Sequence, residues 1–259
     1  MAADHPSSPP RVAVVTGGGR RIGHAIVLAL AKAGYSVAVH ARADRAEAAQ
    51  TAEEARRFGV NSAVLVADLA DLRRSLTLIP DAAAALGPVT LLVNNAAQFD
   101  IDAAGALDAE IWDQHFAVNL RAPVFLAEAF ARHAPRGSDP SIVNVVDQRV
   151  FKLMPQQFSY TLTKAALHAA TTMLAQAFAP DIRVNAVAPG PTLASPRQDA
   201  SAFQAQQASL PLERGPAPDE IAAAVVYLAS ARSVTGATIP VDGGQHIAWK
   251  TPDCWGIEE

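Results

Sequence analysis

The chain has a single cysteine, Cys254, in 259 residues. An internal disulfide is therefore excluded, and a reducing compartment is the expected environment. Lysine is nearly as scarce. Four lysines stand beside 17 arginines, scattered without a basic run, in a chain of formal net charge −4. A polyanion finds no electrostatic footprint in such a pattern, which excludes nucleic acid as a general partner. The seven histidines show no metal-ligand spacing, so no metal site is expected. No apolar run is long enough for a membrane span, and the opening "MAADHPSSPPR" lacks the apolar core of a signal peptide. A soluble, cytoplasmic protein without membrane partners is expected, with residues 1–10 as a flexible N-terminal segment.

What the chain does have is a hydrophobic fraction of 50%, enough for one domain over 11–259 with a large core. Seven short apolar runs recur: "RVAVVTG", "SVAVHAR", "NSAVLVADL", "VTLLVNNAA", "SIVNVVD", "IRVNAVAPG" and "TIPVDGG". Helical periodicity fills the intervals 24–33, 46–57, 75–86, 112–132, part of 158–178, and 219–230. Apolar strands alternating with helices predict a parallel sheet covered on both faces. The expected fold is a single Rossmann-type α/β domain with seven strands, doubly wound. Residues 191–218 lack strong periodicity and follow the sixth run, where a substrate lid competes with a plain solvated loop.

The first run ends in "TGGGRRIG". A glycine turn leading into a helix exposes backbone N–H groups and a positive helix terminus, which together attract a pyrophosphate. The G-x-G-x-x-G spacing is not met, because Ile22 stands where the third glycine belongs, and a structural turn without ligand is the competing reading. The second run, "VAVHAR", carries no acid before Asp44. Arg20 and Arg42 can instead form a fork for a 2′-phosphate, which favours NADP(H) over NAD; the alternative is that Arg42 opens a solvated helix. Further along, Tyr160 and Lys164 are four residues apart and share a helix face. An ammonium beside a phenol is expected to lower the phenol's pKa and make it a usable proton donor.

Together with "ADL" at 67–69, "NNAA" at 94–97, "VNL" around Asn119, "YTLTK", "RVNAVAPG" and "TGATIPVDGG", these motifs resemble the short-chain dehydrogenases/reductases from Arg11 to about His246. The resemblance implies a nicotinamide cofactor and a homotetramer or homodimer packed through long helices. It implies cofactor contacts from Gly17, Arg20, Arg21, Ile22, His40, Arg42, Asp68, Leu69, Asn95, Ala96, Pro189, Gly190 and Thr192, as well as from Tyr160 and Lys164. Within that set Asp68 faces the adenine, Asn95 and Ala96 the adenosine ribose, and Lys164 the nicotinamide ribose. Asn119 completes the catalytic set by holding a relay water.

Two positions depart from most of the family. Asp147 stands thirteen residues before Tyr160, where a serine is usual, and Arg21 replaces a glycine. Both changes occur in the pteridine and dihydromonapterin reductases, which this sequence also resembles through Phe99 in "NNAAQFD", the position of a ring that stacks on the pterin. Physically, a carboxylate repels the oxyanion of a carbonyl reduction, whereas reduction of C=N sends hydride to carbon and a proton to nitrogen. Asp147 and Tyr160, recharged through Lys164, would form the acid relay. Arg21 would reach the cofactor phosphate and the polar edge of a flat heterocyclic substrate, covered by Phe99. The bland readings are a core Phe99, an Asp147 that caps the next turn, and an Arg21 paired with a surface carboxylate. As a whole protein, the rivals are a carbonyl reductase of 3-oxoacyl thioester type and a catalytically silent NADP-binding redox sensor.

Overall fold

The computed structural model describes residues 11–43, 45–195 and 199–249. The segment 1–10, Asp44 and the tail from Lys250, with Cys254, lie outside the described residues.

Seven parallel strands form one sheet in the order β3-β2-β1-β4-β5-β6-β7. They are β1 (Arg11–Val15), β2 (Tyr35–Ala41), β3 (Ser62–Val66), β4 (Leu91–Asn94), β5 (Ser141–Val145), β6 (Arg183–Pro189) and β7 (Thr238–Val241). The central strands β1, β4, β5 and β6 are buried nearly end to end, as continuous apolar runs covered on both faces require. One face packs on α1 (Arg21–Lys32), α2 (Arg45–Arg56) and α9 (Pro218–Ser230), through Ile26, Leu30, Ala48, Ile221 and Leu228. The other packs on α4 (Leu78–Leu86) and α6 (Ala122–His133), through Ile79, Leu126 and Phe130. The long α7 (Phe158–Phe178) contributes Leu174 to this second core.

Several boundaries differ from the periodic reading. The helix expected over 75–86 is two helices, α3 (Leu72–Leu76) and α4, meeting at Thr77. Asp71 starts α3 early by accepting the backbone N–H groups of Arg73 and Arg74, satisfying orphan donors of the first turn. The helix expected over 112–132 is α5 (Ala109–Phe116), a π-helical turn at Ala117–Arg121, and α6. Residues 191–218 contain α8 (Ala200–Ala208), which buries none of its residues.

Strand order reverses between β1 and β4, and crevices at the carboxyl ends of such switch points are where open α/β sheets bind ligands. Thr16 ties this crossing together. Its hydroxyl accepts the N–H groups of Asn95 and Ala96 at 3.0 Å each, and the Asn95 side chain donates to the carbonyls of Thr16 at 2.8 Å and Gly17 at 3.2 Å.

Candidate active site

A cleft of about 920 Å³ opens at this switch point. Every residue that the sequence placed in the site lines it except Asn119. One end is formed by the glycine turn and the start of α1. Gly17 has φ +62, and a Cβ at Gly23 would overlap the Gly17 carbonyl oxygen, so only glycine fits both places. The turn is a preshaped cradle, and the first N–H groups of α1 have no intrahelical acceptor.

His40 was expected among the cofactor contacts. The structure gives it a scaffold task as well: Nδ1 accepts the Gly17 N–H at 3.1 Å, and Nε2 donates to the Ala67 carbonyl at 2.9 Å. Burial lowers its pKa, holding the ring in the neutral form that this pair of bonds requires. Arg20 lies 4.0 Å from Glu47, exposed, and Arg42 is exposed at the end of β2. The Asp68 carboxylate accepts the Ala70 N–H at 2.9 Å.

Arg21 does something the sequence did not foretell. Its backbone sits in the left-handed region, φ +54, and its guanidinium donates to the carbonyls of Leu193 and Ala194 at 3.1 Å. It tethers the start of the 191–218 segment at the wall of the cleft, which Arg21 also lines. Phe203 and Gln206 of α8 bring that segment over the cleft, whose wall they form together with Leu193 and Ser195.

At the far end stand Asp147, Tyr160 and Lys164. Asp147 both caps and pairs: Oδ1 accepts the Arg149 N–H at 2.9 Å, opening the 3-10 turn Gln148–Val150, while Oδ2 accepts the Tyr160 hydroxyl at 3.0 Å. The capping reading therefore holds, and the same carboxylate meets the Tyr160 hydroxyl. Tyr160 is buried, and burial, with the Asp147 carboxylate second, pushes its pKa well above the usual phenol value. This corrects the expectation that Lys164 lowers it. The Lys164 ammonium donates to the Val145 carbonyl at 2.8 Å and lies 5.8 Å from the Tyr160 ring centroid. Burial lowers Lys164 to about 8, with Asp147 opposing.

Asn119 sits on the π-helical turn, whose widened backbone turns the side chain inward. Its Oδ1 accepts the Gln98 N–H at 2.7 Å, and its Nδ2 donates to Gln98 O at 2.9 Å and Thr163 Oγ1 at 3.3 Å. It clamps the strand-to-loop exit at Gln98. Phe99, 38% exposed, is no core residue; it meets the Tyr160 ring edge-on at 4.7 Å between centroids.

Two residues went unread in the sequence. Arg149 donates Nη1 to both Asp147 oxygens, at 3.2 and 3.0 Å. His115, fully buried, accepts the Asp100 N–H at 3.0 Å and bonds Ser159 at 2.6 Å, fixing the loop that carries Phe99 against the start of α7. The 3-10 turn that brings Arg149 back to Asp147 leaves no period in the sequence, and nothing local marked His115. Among the described residues no group of His, Cys, Asp or Glu is arranged to hold a metal, and no helix is long and apolar enough to cross a membrane.

The cleft can bind an anionic ligand at its glycine end and keep an acidic proton at the other. Known proteins share the fold. A family model described as enoyl-(acyl carrier protein) reductase matches residues 18–246. The crystal structure of FolM alternative dihydrofolate reductase 1 from Brucella suis in complex with NADP superposes with a TM-score of 0.90 at 49% identity, covering 95% of this chain and 98% of that one. A blue fluorescent protein from a metagenomic library, in complex with NADPH, has a TM-score of 0.84 at 31% identity, covering 90% and 97%. Galactitol 2-dehydrogenase of Rhizobium johnstonii is 36% identical over 90% of this chain and 93% of its own. Fold, cleft and these likenesses agree: the chain is an NAD(P)-dependent oxidoreductase of the short-chain dehydrogenase/reductase family.

Proposed function

We propose that this protein reduces a C=N bond of a pterin or dihydropterin with NADPH. The observation that carries the reading is the Asp147 carboxylate accepting the Tyr160 hydroxyl at 3.0 Å. A carbonyl reduction builds negative charge on oxygen, and a carboxylate at that place opposes it. Protonation of an imine nitrogen meets no such penalty, and Tyr160, its pKa raised, keeps its proton through the neutral range. The name of the Brucella suis neighbour, an alternative dihydrofolate reductase, supports a pterin-like ring.

NADPH, when bound, supplies the hydride. The chain's own residues bind and orient: the Gly17–Gly23 turn and the start of α1 take the pyrophosphate, and Arg20 and Arg42 the 2′-phosphate. Asp68, Leu69, Asn95 and Ala96 hold the adenosine end; Lys164, Pro189, Gly190 and Thr192 hold the nicotinamide end. Phe99 covers one face of the substrate ring. Residues 191–218 act as the lid, with Arg21 as its tether. A second reading, reduction of an oxo compound, draws on the galactitol 2-dehydrogenase likeness.

The test is NADPH oxidation with dihydrobiopterin and, in parallel, an acetoacetyl thioester and a keto-hexose, for the wild type and Asp147→Ser. Turnover of the pterin, lost by roughly 10²-fold or more on substitution, is the expected result. Turnover of an oxo substrate with the pterin ignored sinks the pterin assignment, and turnover of nothing leaves a cofactor-binding sensor.

A further inference from the structure

The Asp147 carboxylate receives four hydrogen bonds, and three come from one residue. Arg149 contributes its backbone N–H at 2.9 Å to Oδ1 and its Nη1 at 3.2 Å to Oδ1 and 3.0 Å to Oδ2; the fourth is the Tyr160 hydroxyl at 3.0 Å to Oδ2. The ion pair is well covered, with side-chain exposures of 19% for Arg149 and 14% for Asp147. An exposed pair of this kind contributes little, but one removed from water leaves a costly unpaired charge when either partner is deleted. Arg149 is itself held: Nε lies 3.2 Å from the Met154 sulfur, and the guanidinium carbon is 6.0 Å from the Phe99 ring centroid.

We propose that Arg149 is a positioning residue for proton delivery: its guanidinium fixes the Asp147 carboxylate so that the Tyr160 hydroxyl is held as the donor at the reacting end of the cleft. The proposal rests on the reading of Asp147 and Tyr160 as the proton-delivering pair. The cause is electrostatic as well as geometric. Burial and the Asp147 carboxylate push the phenol up, and Arg149 is the counterweight that pulls it back. From α7, Tyr160 and Lys164 face the carboxylate; Lys164 feels its charge. On the side of α5, His115 has its ring 6.1 Å from that of Tyr160 and is influenced by Asp100 and Asp102. None of these supplies a second cation hydrogen-bonded to Asp147. Without the Arg149 guanidinium the carboxylate loses two of its four hydrogen bonds and its charged partner, keeping only the backbone N–H of residue 149 and the Tyr160 hydroxyl.

The experiment compares Arg149→Met and Arg149→Lys with wild type in the full chain, using NADPH and dihydrobiopterin. Should the wild type reduce only the oxo compound, the pterin reading fails and the same comparison is run on that substrate, so the two failures are distinct. In Arg149→Met, kcat falls roughly 10²-fold, the scale on which misplaced catalytic groups act, while KM for NADPH stays unchanged. Arg149→Lys recovers part of the rate, and guanidinium ion added to the buffer raises the rate of Arg149→Met. Thermal melting and NADPH fluorescence titration establish that both variants are folded. A rise in substrate KM with kcat intact overturns the proposal, since Arg149 would then be a substrate anchor. An equal loss in both variants, with no rescue by guanidinium ion, also overturns it and leaves a merely structural residue.

Discussion

Replacing Arg21 by glycine and, separately, by alanine resolves two effects that this one side chain combines. The backbone at φ +54 costs a residue with a Cβ about 1–2 kcal/mol relative to glycine. Glycine pays back about 0.4–1 kcal/mol of that through the greater freedom of its unfolded chain. The guanidinium bonds to Leu193 and Ala194 are exposed, and their loss costs about 1 kcal/mol in either variant. Arg21→Ala keeps the strain and loses the tether, so it should be destabilised by about 1 kcal/mol. Arg21→Gly loses the tether but sheds the strain, and should unfold within about 0.5 kcal/mol of wild type. At roughly 2–4 °C per kcal/mol for a chain of this length, Arg21→Gly should melt about 1–4 °C above Arg21→Ala. Hydrogen exchange around Leu193 and Ala194 should quicken equally in the two variants. If Arg21→Ala melts at or above Arg21→Gly, the left-handed backbone is not a source of strain. If exchange there is unaltered, the tether does not hold the lid.

Two other perturbations are as direct. Gly23→Ala puts a methyl group against the Gly17 carbonyl and should weaken NADPH binding at least tenfold, a fluorescence titration being the check; unchanged affinity would mean that the turn is not the pyrophosphate cradle. Lys164, held at about 8 by burial, binds its proton less tightly folded than unfolded. The protein without cofactor should therefore gain up to roughly 3 kcal/mol from this residue as pH rises from about 8 to about 10.4, and this contribution is lost as pH falls back through 8. Tyr160, shifted upward, contributes in the opposite sense and only above pH 10. The melting temperature of Lys164→Met relative to wild type should thus drop progressively between pH 8 and 10, and a difference that is constant with pH contradicts the assignment.

The central strands were legible because burial on both faces forces them to be continuous apolar runs, as in Val12–Val15 or Leu91–Val93. Helices were legible where one face is buried. α8 buries nothing, so it left no period to read. Thr77 and the π-helical turn interrupt helices without interrupting hydrophobicity, and only hydrogen-bond geometry reveals such breaks. At the site, Tyr160, Lys164 and Asp147 were legible as spaced residue types. Arg149 was not, because its contact with Asp147 is made by the 3-10 turn after β5, a three-residue element that leaves no hydrophobic period to read. The tether made by Arg21 was not legible either, because its partners are backbone carbonyls 172 and 173 positions away, which carry no sequence signature.

The knot at Thr16 bears on how a ligand enters. Because the Asn95 amide and the Thr16 hydroxyl already occupy the polar groups on the inner side of the crossing, the turn has nothing left to fold around when a phosphate arrives. The entropy of ordering it was lost when the chain folded. On the proposed reading, entry of the dinucleotide would then be an exchange of water for phosphate on a rigid template, with exposed Arg20 and Arg42 at its rim. Affinity at such a rim is governed by ionic strength more than by any rearrangement of the protein.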